Sequence, residues 1–164
     1  MASGSVLKLQ WPEVRTCSES LAAIGDNNPT LKSCAKQLPG GEKQVKALIK
    51  MSFIRLNRIL NLKTSLTEEA IDCIADEIYR NYPFFRPSDI HLITWRIMTG
   101  KCGELYESLN IAKVLKWVDD YAEERSEECA RLSLQRHYEY SYDPYPRSQD
   151  MNPINELFRR TKHD

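Results

Sequence analysis

An all-α fold is expected from three observations. Apolar residues recur about every 3.6 positions, no stretch alternates β-branched residues with a period of two, and capping residues or prolines stand where helices would open. The class is a compact multi-helix domain with one long C-terminal helix and a flexible tail. Its expected divisions are an N-terminal arm over 1–28, a helical domain over 29–138, and a flexible tail over 139–164 in which a short helix can form.

Taken in order, a short first helix is expected to follow Asn28, with Pro29 at its first position, and to end before Pro39-Gly40-Gly41. The next runs over 42–62, "EKQVKALIKMSFIRLNRILNL". Stepping about 100° per residue places Val45, Leu48, Ile49, Phe53, Leu56, Ile59 and Leu60 on one face and Lys43, Lys46, Lys50 and Asn57 opposite. In "LTEEAI", Thr67 can cap a helix, Glu68 and Glu69 suit its positive end, and Leu66 can staple onto Ile71. The stripe continues through Ile74, Ala75, Ile78, Tyr79 and Tyr82 until Pro83 stops it. Pro87 then opens another helix, "PSDIHLITWRIM", which turns Ile90, Ile93, Ile97 and Trp95 inward, and Phe84-Phe85 between the two reads as a buried anchor. Ser108 or Asn110 can cap the long helix to about residue 138, with Ile111, Val114, Leu115, Val118, Tyr121, Ala122, Cys129 and Leu132 on its stripe. Beyond Arg125 that stripe is interrupted by charge, which predicts a far half that projects into solvent, with packing on a partner as the alternative.

Several functions are set aside by composition. The charged fraction of 28% and the apolar fraction of 41% fit a soluble globular chain. No run approaches the roughly 18 apolar residues that a spanning helix needs, and the N-terminus carries no basic start followed by an apolar segment. Five cysteines without a C-x-x-C pair fit free thiols in a reducing cytoplasm. His91, His137 and His163 lack ligand spacing from any cysteine pair, so neither a metal nor another cofactor is expected.

The stretch "MTGKCGELY" over 98–106 comes nearest to a chemical motif. A phosphate-binding loop has a glycine where Trp95 stands and a Ser or Thr where Cys102 stands, and it follows a strand rather than a helix. Gly100 instead suits the left-handed residue that ends a helix, with Lys101 near the negative end of the dipole and Gly103 allowing a tight turn. Cys102 would need a histidine partner to act as a nucleophile, and nothing in the sequence brings His91 to it. No paired carboxylates or Ser-His-Asp order are legible, and Ser88-Asp89-Ile90-His91 reads as a helix start. The chain is expected to have no enzymatic activity.

Net charge is zero but uneven. Between Lys32 and Lys63 lie eight cations against Glu42 alone, whereas acids gather over 68–77 and 119–128, so a bipolar molecule is expected. Two candidate binding surfaces emerge. One is the basic helix with Lys43, Lys46, Lys50, Arg55 and Arg58, able to meet nucleic acid or an acidic protein surface. The other is the tail, where Asn152-Pro153 can open a short helix that puts Ile154, Leu157 and Phe158 on one face, suited to a groove on another protein. Within it "INELF" resembles the short peptide by which replication proteins bind the sliding clamp, with Ile154 in place of the leading glutamine. Tyr138, Tyr140, Tyr142 and Tyr145 can stack on single-stranded bases, against which Glu139 and Asp143 count.

The run from Ser65 to Arg125 resembles a helical domain of uncharacterised proteins carried on phages and other mobile elements of gut bacteria. The resemblance lies in the cap Thr67, in Tyr82-Pro83, in Asp89-Ile90, in Gly100 and Gly103 with Tyr106, and in Trp117 through Arg125. Glu104 departs from the tyrosine that usually follows that turn. The resemblance implies a mobile-element setting, in which small helical proteins serve replication or counter a host system. The expected function is therefore binding of a protein partner in nucleic-acid processing, a nucleoprotein complex included, as a replication accessory factor or an inhibitor of a host defence complex. Direct DNA or RNA binding by the basic helix 42–62 is the alternative, and no membrane association is expected.

Overall fold

In a computed structural model, residues 13–103 and 108–141 are described. Six helices follow one another: α1 (Cys17–Ala22), α2 (Leu31–Gln37), α3 (Gly41–Leu60), α4 (Glu68–Asn81), α5 (Pro87–Met98) and α6 (Ile111–Ser141). Among the described residues there is no strand, only an isolated bridge between Thr64 and Ser108. The chain divides into two units, Met1–Cys129 and Ala130–Asp164.

The first unit is organised around α3, which packs against α2, α4 and α5, while α1 packs on α5. Its core joins Val45, Ile49, Phe53 and Leu56 of α3 to Ile71, Ile74, Ala75 and Ile78 of α4. Ile90, Ile93 and Ile97 of α5 and Val114, Val118 and Tyr121 of α6 complete it. These are the stripes that the helical period predicts. Local signals hold as well: the Thr67 hydroxyl accepts from the Ala70 N–H at 3.1 Å, Leu66 and Ile71 are both buried, and Pro87 occupies the first turn of α5. Gly100 takes φ +73° just past α5, the left-handed C-terminal conformation expected of it. Asn110 rather than Ser108 caps α6, its Oδ1 accepting from the Lys113 N–H at 2.9 Å.

Several expectations change. Pro29 precedes α2 instead of opening it, because the Thr30 hydroxyl is the cap, accepting from the Ser33 N–H at 3.2 Å. The first free amides of α2 are then satisfied by the turn between α4 and α5: Leu31 N–H donates to the Phe85 carbonyl at 2.7 Å and Lys32 N–H to that of Pro83 at 3.0 Å. Only Phe85 of the Phe84-Phe85 pair is buried, stacked on Tyr82 at 4.8 Å, while Phe84 is exposed. Ile59 faces outward into the cleft beside α5, which leaves that side of the last turns of α3 uncovered, while Asn57 ties α3 to the next loop, donating to the Leu66 carbonyl and accepting from the Leu66 N–H.

Part of the segment assigned to an arm belongs to the packed unit. Val14, Cys17 and Ser20 are buried, and α1 has its own cap at Thr16. Cys129, placed on the apolar stripe of α6, is exposed instead. In the second unit the helix carries Leu134, Tyr138 and Tyr140 exposed, in keeping with the solvated far half. It continues through Ser141, past the expected boundary at 138. The tail positions Leu157 and Phe158 lie outside the described residues, as does Tyr106.

Candidate functional site

The basic helix is not the isolated positive face that its sequence suggests. Lys46 is ion-paired with Glu42 and, at 3.0 Å, with Asp76, and Lys50 is paired with Asp72 at 2.7 Å. Asp72 and Asp76 sit on α4, which packs beside α3, so acidic and basic stretches meet and partly neutralise one another instead of forming two poles. Lys43 is exposed on that side. Arg55 and Arg58 point to a different surface, and neither makes an ion pair among the described residues.

That surface is a groove of about 580 Å³ between α3 and α5. From α3 it receives Leu48, Met51, Ile54, Arg55, Arg58 and Ile59, and from α5 His91, Thr94, Trp95 and Met98. Met51 is 64% exposed, Ile54 47%, Ile59 49% and Met98 37%. Four large apolar side chains therefore stay in water along one cleft, although the same helices bury their opposite stripes completely. On α3 the positions step 51, 54, 55, 58 and on α5 91, 94, 95, 98, the spacing by which a helix offers one face to another helix.

Two cations lie over the Trp95 ring, the Arg15 guanidinium at 4.8 Å and the Lys101 ammonium at 4.3 Å. The Nε2 atom of His91 is buried without a hydrogen-bond partner among the described residues, and burial first, then the Arg15 charge, lowers the His91 pKa from 6.5 and favours the neutral ring. The groove thus offers apolar anchors and two guanidinium groups, Arg55 and Arg58, that make no ion pair among the described residues.

A second cavity, of about 510 Å³, has Arg96, Lys101, Cys102, Trp117 and Glu124 in its walls. Arg96 is held there by Glu124 at 2.8 Å and lies over the Tyr121 ring at 5.4 Å. Burial raises the Cys102 thiol pKa, while His91 lines the other cavity, so the thiol has neither the lowered pKa nor the imidazole that nucleophilic catalysis needs. Lys101 and Gly100 lie past the C-terminal end of α5, where carbonyls rather than N–H groups face outward, which argues against phosphate binding in that loop.

The most buried polar cluster is structural. Asp89 is fully buried and accepts from the Arg86 N–H at 2.8 Å, completing the helix start read from the sequence. It also accepts from the Ser20 hydroxyl at 2.7 Å, the Tyr121 hydroxyl at 2.5 Å and Arg125 Nε at 3.2 Å. Beside it Ser88 meets Ser20 at 2.8 Å, and Asn28 accepts from the Ser88 N–H at 3.0 Å while donating to its hydroxyl at 2.9 Å. Every oxygen of the carboxylate is occupied by the protein itself, leaving none for a substrate. Sequence reasoning missed Ser20, Tyr121 and Arg125 as its partners, and Asn28 as the partner of Ser88, because they come from distant segments. Among the described residues no group of three or more His, Cys, Asp or Glu could hold a metal ion.

No family model matches the chain, and no curated protein or solved structure matches it, so a functional reading rests on its own side chains. No helix among the described residues is long and apolar enough to cross a membrane.

Proposed function

We propose that the chain is a non-enzymatic binding protein that holds a protein partner in the groove between α3 and α5. The observation that carries this reading is the line of Met51, Ile54, Ile59 and Met98, large apolar side chains left exposed on two helices along a single cleft. Contiguous exposed apolar surface of this kind marks interaction sites, whereas isolated exposed residues do not. The resemblance to mobile-element proteins supplies the setting: a partner belonging to a nucleic-acid-processing assembly, engaged either to serve replication or to block a host defence complex.

Direct nucleic-acid binding is the second reading, favoured by Arg55 and Arg58, which make no ion pair among the described residues, and by the exposed Lys43. The ion pairs of Lys46 and Lys50 with α4 weigh against it, since a phosphate would have to displace Asp76 and Asp72. The two readings are separated by comparing wild type with Met51→Asp/Ile54→Asp and with Lys43→Glu/Arg55→Glu/Arg58→Glu. All substituted side chains are exposed, so both variants should keep their helicity. The expected result is that a protein recovered from the native host in stoichiometric amount is lost with the apolar pair. Retention of that protein by the Met51→Asp/Ile54→Asp variant would remove the groove from consideration. Binding of DNA or RNA that weakens steeply with salt and vanishes in the triple variant would favour the alternative.

A further inference from the structure

The groove has a shape that selects its occupant. Both walls are helices, and each presents side chains at i, i+3, i+4 and i+7: Met51, Ile54, Arg55 and Arg58 on one, His91, Thr94, Trp95 and Met98 on the other. Two adjacent helices with such outward stripes leave a furrow into which the ridge of a third helix fits, as in any helical bundle. An extended strand would need a backbone edge to pair with, and two helices whose main-chain groups are internally bonded provide none. The two stripes span eight residues each, seven steps or about 10 Å at about 1.5 Å rise, so two to three turns of a partner helix cover the site.

Charge narrows the choice further. Arg55 and Arg58 stand on the α3 side of the cleft without an acid among the described residues, whereas Lys46 and Lys50 on the neighbouring face of the same helix are neutralised by α4. Glu13, the acid that lines the groove, is paired with Arg15 at 3.8 Å. Resting on the protein-binding reading above, we infer that the occupant is an amphipathic helix of a partner protein. Its apolar stripe packs on Met51, Ile54, Trp95 and Met98, and carboxylates along one flank meet Arg55 and Arg58.

The test uses the full chain and a displayed library of helix-forming peptides of about 15 residues, about four turns. Selection should enrich peptides with apolar residues at i, i+3 or i+4 and i+7 and with Asp or Glu on one flank. Fluorescence anisotropy of a labelled winner should show binding lost in Met51→Asp and weakened about tenfold in Arg55→Glu/Arg58→Glu. A peptide with its acids changed to Lys should recover affinity for that double variant, because restored complementarity reverses the penalty. Enriched peptides without acids, or equal affinity for wild type and the double Glu variant, would overturn the charge assignment and with it the inference. So would self-association of the wild type that Met51→Asp abolishes, which would make a second copy the occupant, or preferential binding of a DNA or RNA oligonucleotide to the same face. Should Met51→Asp/Ile54→Asp release the native protein partner while no helical peptide binds, protein binding in the groove would survive and the helical occupant alone would fall.

Discussion

Asp89→Ala offers the sharpest measure of how the first unit is held together. The substitution removes the acceptor for Tyr121, Ser20, Arg125 and the Arg86 amide together. Ser20 keeps Ser88, but the Arg125 side chain, only 12% exposed, loses its counter-ion. Breaking a buried pair by deleting one partner destabilises by about 3–5 kcal/mol, because the other charge stays desolvated. Set against a typical domain stability of about 5–15 kcal/mol, that is a large fraction of the whole. It corresponds to a fall in Tm of roughly 10 °C for a chain of this size. Asp89→Asn keeps the shape and one oxygen acceptor but also strands Arg125 and turns an NH2 toward two donors, so it should cost less than Asp89→Ala yet still at least about 1–3 kcal/mol. Urea unfolding followed by the helical circular dichroism signal gives both values. Adding Arg125→Met to Asp89→Ala should recover part of the loss, with a coupling of about 1–3 kcal/mol, since the stranded charge is then gone. If Asp89→Ala unfolds within about 0.5 kcal/mol of wild type, or if the two changes simply add, the cluster does not hold the fold as described.

Two further outcomes follow from the buried side chains. With a thiol-specific chromogenic reagent, exposed Cys73 and Cys129 should react first and half-buried Cys102 more slowly. Cys17, pushed up to about 11 by burial, and Cys34, also raised by burial, should react only on unfolding; early labelling of Cys17 would contradict its placement. His91, held below 6.5 by burial and by Arg15, should make the protein less stable in acid: the unfolded chain takes the proton first, so stability present above about pH 6.5 is lost as pH falls through the lower folded value. The urea midpoint should drop more between about pH 7 and about pH 5 in wild type than in His91→Gln, and equal slopes would refute this account.

What the sequence could reveal depended on distance along the chain. α4 and α5 were legible because their signals are local: Thr67 as a cap, Glu68 and Glu69 at the positive end, Pro87 at the first turn, and Ile71, Ile74, Ala75 and Ile78 on one stripe. α1 escaped notice at six residues, too short for a periodic stripe, although Thr16-Cys17-Ser18-Glu19 carries a capping pattern that could have marked it. Asp89 was read as a helix start and is one, but the pattern around it says nothing of Ser20, Tyr121 and Arg125, which only tertiary folding delivers. The groove was half visible. Arg55 and Arg58 were named, yet Met51 and Ile54 were passed over because periodicity reports that a helix has an apolar stripe without saying whether a second stripe is left uncovered. Trp95, assigned inward, is half-buried with two cations over its ring.

The Asp89 cluster also bears on how the chain reaches its native state. Its members stand 69, 32 and 36 residues from the carboxylate in sequence, so none can reach it through local helix formation. A half-assembled form in which α3, α4 and α5 had packed without α1 and α6 would leave this acid without its Ser20, Tyr121 and Arg125 partners at the edge of an incomplete core. Water would stay there until both outlying helices arrived. Partly built forms are thereby penalised, and the first and last helices of the unit are obliged to join in one concerted transition, a single carboxylate acting as the clasp that makes folding all-or-none.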